Sequence, residues 1–403
     1  MLGGSLLLFS TLNEWSYLVV FVIIIFLSTR EYYKILSENG FNPNYNLGVF
    51  LSVIIFISSF LYASKESLIG IHFVLVPILP LICLSAFTIL TESRYFYRWV
   101  FIPSTIAFLY IVRFEGFDTD IADYARQMHA TGMDFYYLRE FVFWFGSRCV
   151  YYIFQDDLIS FIFMDIIWII VMVRVGNRLS SYNKEKLNNA LLLVLVTSFP
   201  FVFGYENIYR QFYATVFALL SYSLIDKKYY SSLFILILSF FMHNIVALLL
   251  PLFFVKKFYK FNFSDRIQIS LIVSLIFVAS LSLLVKLKSS EKTGLDMGMF
   301  YLLIFVILLI TGLLVFRKNI YELFDKIPSL FFIVILMIGL VSLNIDMVAE
   351  RIGMMFICFL TYDLYRYTSE IESRSLRSLT RLTIMLLFTL PTLFFESSKQ
   401  FLM

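Results

Sequence analysis

Residues 227–257 read KKYYSSLFILILSFFMHNIVALLLPLFFVKK, and the reading of that stretch decides how the chain is threaded. From Tyr230 to Val255 it is 26 residues long and apolar, with His243 and Asn244 at its middle and Pro251 beyond. One membrane crossing would leave Lys227 and Lys228 on one side and Lys256 and Lys257 on the other. Two half-spans bent near His243 return both lysine pairs to the same side. Basic residues collect in short cytoplasmic loops, which favours the bend; a single span is the alternative. Irregular backbone at membrane depth is tolerated only inside protein or beside a water-filled cavity. A bend at His243 therefore predicts a cavity there.

The rest of the chain supports a membrane reading. Of its 403 residues, 60% are hydrophobic and 15% charged, against roughly 45–50% and about 25% in soluble domains. Polar surface on this scale cannot cover the core that a soluble fold would need. A spanning helix takes about 20 mostly apolar residues. Apolar runs lie at 15–29, 47–63, 67–90, 99–112, 158–173, 188–203, 209–225, 230–255, 267–285, 298–316, 328–343, 352–365 and 382–395. With the bend, they predict an all-α polytopic integral membrane protein of about 14 segments. The chain reads as one domain, 1–403, with both termini outside and a long extracytoplasmic loop at about 113–157. Arg30, Arg94, Lys184, Lys227, Lys257 and Arg374 fall inside; Lys65, His129 and Lys292 fall outside. No cleavable signal peptide is evident, because the first apolar run leads into Arg30.

Charge and cysteines exclude other classes. Thirty-two basic residues against 28 acidic give a net charge of +4, too balanced for a nucleic-acid partner. Cys83, Cys149 and Cys358 show neither disulfide nor metal spacing. Asp118, Asp120 and Asp123 crowd six residues of the long loop. They suit a divalent cation or a base, or equally a solvated turn with Thr119 or Asp120 capping a helix. The spacing is not that of a calcium loop, and no metal site is expected.

The arginines are more telling. In the threading above, Arg113, Arg126, Arg139, Arg148, Arg210 and Arg351 all fall on the outer side. Arginine presents a planar fork that matches phosphate, or it snorkels to lipid headgroups, the reading favoured for Arg113 and Arg148. Arg210, in Gly204-Tyr205-Glu206-Asn207-Ile208-Tyr209-Arg210-Gln211, enters the first turn of an inward-running helix. The macrodipole there favours an anion, which Glu206 or a phosphorylated ligand would supply. Arg351, beside Glu350, repeats the arrangement at a second helix start. His243 at the bend suits general-base work, or is a hydrogen-bonded core residue. His72 reads as structural, and the stretch from Arg139 to Gly146 as an aromatic interfacial segment that either shields a lipid-linked substrate or simply anchors the loop.

Taken in order, several of these pieces resemble the EpsG-like family of bacterial polysaccharide polymerases, related to the Wzy-type O-antigen polymerases. They are Thr119-Asp120, then Asp123-Tyr124, then Glu140 before an aromatic run. Tyr209-Arg210-Gln211-Phe212 follows, then Lys227-Lys228, Phe241-Met242-His243 and a late Arg351. The set covers about residues 113–360. Phe117-Asp118 before Thr119-Asp120 departs from the family pattern, so which aspartate matters stays open. The resemblance implies a glycosyltransferase of the polytopic C superfamily in the bacterial inner membrane. Such an enzyme moves a glycan from a polyprenyl-diphosphate donor to a lipid-linked acceptor on the outer face, without a cofactor. It also implies His243 as first choice of base and Asp120 as second. Arg210 and Arg351 would hold the diphosphate, with Gln211, Tyr124, Arg126 and Glu140 as further substrate contacts. A chain-length regulator is the implied protein partner. An O-antigen ligase uses the same chemistry, and a lipid-linked glycan flippase also wants such a face, although internal symmetry is not found.

Overall fold

A backbone that must satisfy its own N–H and C=O groups without water coils into helices, and the described residues contain helices and no strand. The structure is a computed structural model that describes residues 75–115, 119–130, 132, 138–180, 190–206, 208–257, 268, 271–276, 297–317, 319–343 and 346–394. The runs expected at 15–29 and 47–63, most of 267–285, and Lys65, His72, Asp118, Lys184 and Lys292 lie outside these residues. Among the described residues, the helices Arg94–Phe114, Asp157–Asn177 and Gly298–Val315 are long and apolar enough to cross a membrane.

The chain divides into two compact units, Met1–Thr105 with Leu393–Met403, and Ile106–Thr392. In the first, α1 (Leu75–Thr91) ends where Glu92 turns into the left-handed region, φ 49°. Ser93 Oγ then accepts the Phe96 N–H at 3.2 Å and caps the short turn Arg94–Phe96. A π-helical turn, Tyr97–Phe101, leads into α2 (Ile102–Glu115).

The second unit holds α3 (Thr119–Met128), α4 (Phe141–Phe154), α5 (Asp157–Ser180), α6 (Ala190–Leu195), α7 (Phe199–Glu206), α8 (Tyr209–Leu224) and α9 (Tyr229–Met242). After a 3₁₀ turn, Asn244–Leu249, come α10 (Leu250–Lys257), α11 (Met297–Val315), α12 (Ile320–Lys326), α13 (Pro328–Ser342), α14 (Asp346–Thr368) and nearly all of α15 (Arg374–Phe394). The long loop expected at 113–157 is thus largely helical. The expected run 188–203 is two short helices, because the chain turns at Val196–Ser198 just before Pro200, which has no N–H to continue the ladder.

α8 is the core helix, buried along nearly all its length with α5, α9 and α14 packed around it. Close approach needs small residues: a Cβ on Gly204 would lie 2.6 Å from the Phe212 ring, and one on Gly353 2.7 Å from Tyr301. α9 returns antiparallel along α8, with Ser221 Oγ donating to Ser232 O at 2.7 Å. At His243 the helix stops in extended backbone, φ −160° and ψ 131°. The chain then reverses. His243 sits at the Arg210 end of α8, whereas Lys256 Nζ donates to the carbonyl of Tyr222 at 2.9 Å. Arg210 and Tyr222 are 12 positions apart on α8, about 18 Å at 1.5 Å per residue. Residues 229–242 and 244–257 are therefore two limbs of one hairpin.

The far end of α8 carries its own buried network. Tyr222 and Ser329 donate to Asp363 Oδ2 at 3.0 and 2.5 Å, and the Lys256 ammonium lies 3.7 Å from the Tyr222 ring centroid. Lys256 and Asp363 are both buried; charges in such places pair with one another or with backbone carbonyls. The hairpin makes a topological prediction. In a cysteine-free background, cysteines placed at 228 and 257 should react with an impermeant thiol reagent from the same side of the membrane, and one at 129 from the other. Labelling of 228 and 257 from opposite sides would contradict the hairpin as a membrane re-entry.

Candidate functional site

Glu140 stands at the start of α4, but its carboxylate does not cap the helix. It turns inward and is fully buried. A buried carboxylate needs cations or donors around it, and three side chains supply them. Arg210, the second residue of α8, pairs through its guanidinium with Oε2. His243 Nε2 lies 3.5 Å from Oε1, and the exposed Arg139 reaches within 3.8 Å of the same oxygen. Burial pushes the Glu140 carboxyl above the usual range, against Arg210 and Arg139, which pull it down.

Aromatic rings fix the arginine. The Arg210 guanidinium lies 5.1 Å from the Tyr124 centroid on α3 and 5.0 Å from that of Trp144 on α4, positions in which a planar cation is attracted to a ring face. Tyr124 meets Trp144 and Phe143 edge-on, at 6.1 and 6.3 Å. α3 is held in place by its apolar face, since Ile121, Ala125 and Met128 are buried. Arg148 ties α3 to α4, donating to the carbonyls of Gln127 at 3.2 Å and Gly132 at 2.7 Å. His129 reaches Asp157 at 2.7 Å.

Behind the site lies a second buried ion pair. Arg113 Nε meets Asp165 Oδ2 at 3.1 Å, with each side chain 1% exposed. Asp165 Oδ1 also accepts from Tyr209 Oη at 2.9 Å and Trp168 Nε1 at 3.0 Å. The Arg113 guanidinium packs on the rings of Phe161, Tyr205 and Tyr209. Because Tyr209 opens α8 and precedes Arg210, this network sets where Arg210 begins.

Of the residues expected from sequence, the structure brings Glu140, Arg210, Tyr124 and His243 into direct contact. Arg351 lies within electrostatic range of His243, Tyr124 and Asp120, so it and Asp120 border the same place. Gln211 is buried beside Arg210. Arg126 is elsewhere: it pairs with Asp123 on the exposed face of α3. Other expectations are corrected. Arg351 is not at a helix start, because α14 begins at Asp346 and places it in the second turn, beyond the turn where free N–H groups are felt. Arg210 pairs with Glu140, 70 positions earlier; the Glu206 side chain expected beside it lies outside the described side chains. Arg113 does not snorkel but bonds inward to Asp165, and Arg148 bonds the backbone carbonyls of Gln127 and Gly132.

His243 is held through its Nδ1. Its Nδ1 accepts the Ile245 N–H at 3.1 Å, capping the 3₁₀ turn. The neutral ring then carries its proton on Nε2, facing Glu140. Trp144 was not foreseen as part of the site; the signal was its position four residues after Glu140, one helical turn along the same face. The buried Arg113–Asp165 pair left a fainter trace, a single aspartate inside an otherwise apolar run. Among the described residues, no group of three His, Cys, Asp or Glu side chains is arranged to hold a metal ion. Comparison with known protein families, with curated proteins and with solved structures finds no match to this chain.

Proposed function

We propose that this protein is a polysaccharide polymerase of the EpsG-like, Wzy-type kind. It transfers a glycan from a polyprenyl-diphosphate-linked donor to a sugar hydroxyl of a lipid-linked acceptor. In this reading the chain crosses the bacterial cytoplasmic membrane in about 14 segments, two of them the hairpin at His243. The site faces outward, and the superfamily is that of the polytopic C-type glycosyltransferases.

The observation that carries the reading is the placement of Arg210. A permanently charged guanidinium stands in the first turn of a core helix, on two aromatic faces, with Arg351 in electrostatic range of the neighbouring groups. A helix start favours an anion over a cation, and Glu140 offsets that cost. A diphosphate offers the same arginine a bidentate partner with more charge. It also matches the helix end, which a carboxylate buried elsewhere does not. Fixed positive charge at a departing diphosphate stabilises the transition state as it forms. The acceptor hydroxyl must meanwhile lose a proton, and carboxylate and imidazole groups are within reach of the same place.

The test is gel analysis of surface polysaccharide from a deletion strain, with the strain carrying the restored gene as control. Loss of the ladder with single repeat units still attached to lipid A supports a polymerase. Loss of all capped lipid A marks a ligase or a flippase instead. An unchanged ladder ends the proposal.

A further inference from the structure

The transfer reading leaves open which group takes the proton from the acceptor hydroxyl. His243 is poorly placed to take it, because Nδ1 is occupied by the Ile245 N–H, and Nε2 carries the proton and points to Glu140. A base needs a free lone pair, and this imidazole has none. Glu140 differs. Its Oε2 is taken by Arg210, but its Oε1, with His243 Nε2 3.5 Å and Arg139 3.8 Å away, makes no hydrogen bond although the side chain is fully buried. A buried carboxylate oxygen with an unmet acceptor position is costly, and an incoming O–H would satisfy it.

We infer that Glu140 is the catalytic base of the glycosyl transfer and that His243 is a positioning residue that orients it; the inference rests on the transferase reading above. The acceptor O–H gives its proton to Glu140 Oε1 while its oxygen forms a bond to the anomeric carbon of the donor. The bond from that carbon to the diphosphate oxygen breaks, and its electron pair leaves with the polyprenyl diphosphate. Arg210 links the two events. When the diphosphate engages the guanidinium, Glu140 gives up part of its counter-charge and becomes the stronger base at the moment the donor is in place. Burial, which already holds the Glu140 carboxyl above its usual range, acts in the same direction.

The arrangement separates binding from turnover, and a structural role would not. Glu140→Gln keeps the shape of the side chain but removes the negative charge that competes for Arg210. Purified in detergent, it should bind farnesyl diphosphate at least as tightly as the wild-type protein by calorimetry. Its polymer formation should fall by about 10²–10⁴-fold. Glu140→Asp, which keeps a carboxylate, should recover part of the activity, and His243→Gln should lose less than Glu140→Gln. Near-wild-type polymer from Glu140→Gln would overturn the assignment while leaving the transferase reading intact. Loss of diphosphate binding together with activity would overturn it too, making Glu140 a structural member of the pair. Wild-type protein that neither binds farnesyl diphosphate nor forms polymer would remove the reading itself, and the base with it.

Discussion

Arg210→Lys should abolish polymer synthesis while the protein still accumulates in the membrane. Removing one preorganised hydrogen-bond donor aimed at a developing anion costs on the order of 10²–10³ in rate. Lysine keeps the charge but loses the planar fork. It also loses the stacking on Tyr124 and Trp144, which suits a flat guanidinium better than a compact, strongly hydrated ammonium. Were Arg210 only a counter-charge for Glu140, lysine would serve nearly as well. Arg351→Lys should do less harm, because Arg351 is in the second turn of α14 and partly exposed. The measurement is the polysaccharide ladder of each variant in the deletion strain, with expression checked in parallel. Near-wild-type ladders from both would refute a diphosphate grip; loss from Arg351→Lys alone would move the grip to that residue.

Asp165→Ala should unfold the site end of the bundle. A buried ion pair whose one partner is removed leaves an uncompensated charge, at a cost of about 3–5 kcal/mol. Here the loss also strips Tyr209 and Trp168 of their acceptor. The expected result is a protein that fails to accumulate, or one whose thermal unfolding in detergent is shifted far down. Replacing both partners by apolar residues of similar size, Arg113→Met with Asp165→Leu, should recover much of that stability, since hydrophobic substitution of a buried pair is often neutral. It should not recover full activity, because Tyr209 would still lack the bond that sets the start of α8. A double variant as unstable as Asp165→Ala would show that the cost lies in packing and not in the stranded charge.

The all-helical class, the break at His243 and the first-turn position of Arg210 were all legible in the sequence, and for local reasons. Apolar runs of helical length leave the backbone no other way to satisfy itself in hydrocarbon. The two lysine pairs bounding 227–257 could share a side only if the chain turned back between them. The α8 boundary could be read because the polar stretch Gly204–Ile208 interrupts two apolar runs. What surrounds Arg210 was not legible. The sequence offered the nearby Glu206 as its anion, whereas the pairing with Glu140, on another helix, came only with the fold. Local spacing predicts only contacts within a turn or two of helix. A carboxylate 70 positions away meets the arginine because α4 packs against α9 and α9 against α8. Arg113 and Asp165, 52 positions apart, met for the same kind of reason, each being buried only after the helices carrying it had packed. Periodicity and charge placement along the chain determined the helices and the turn at His243, while helix packing alone decided which charges would face one another out of water.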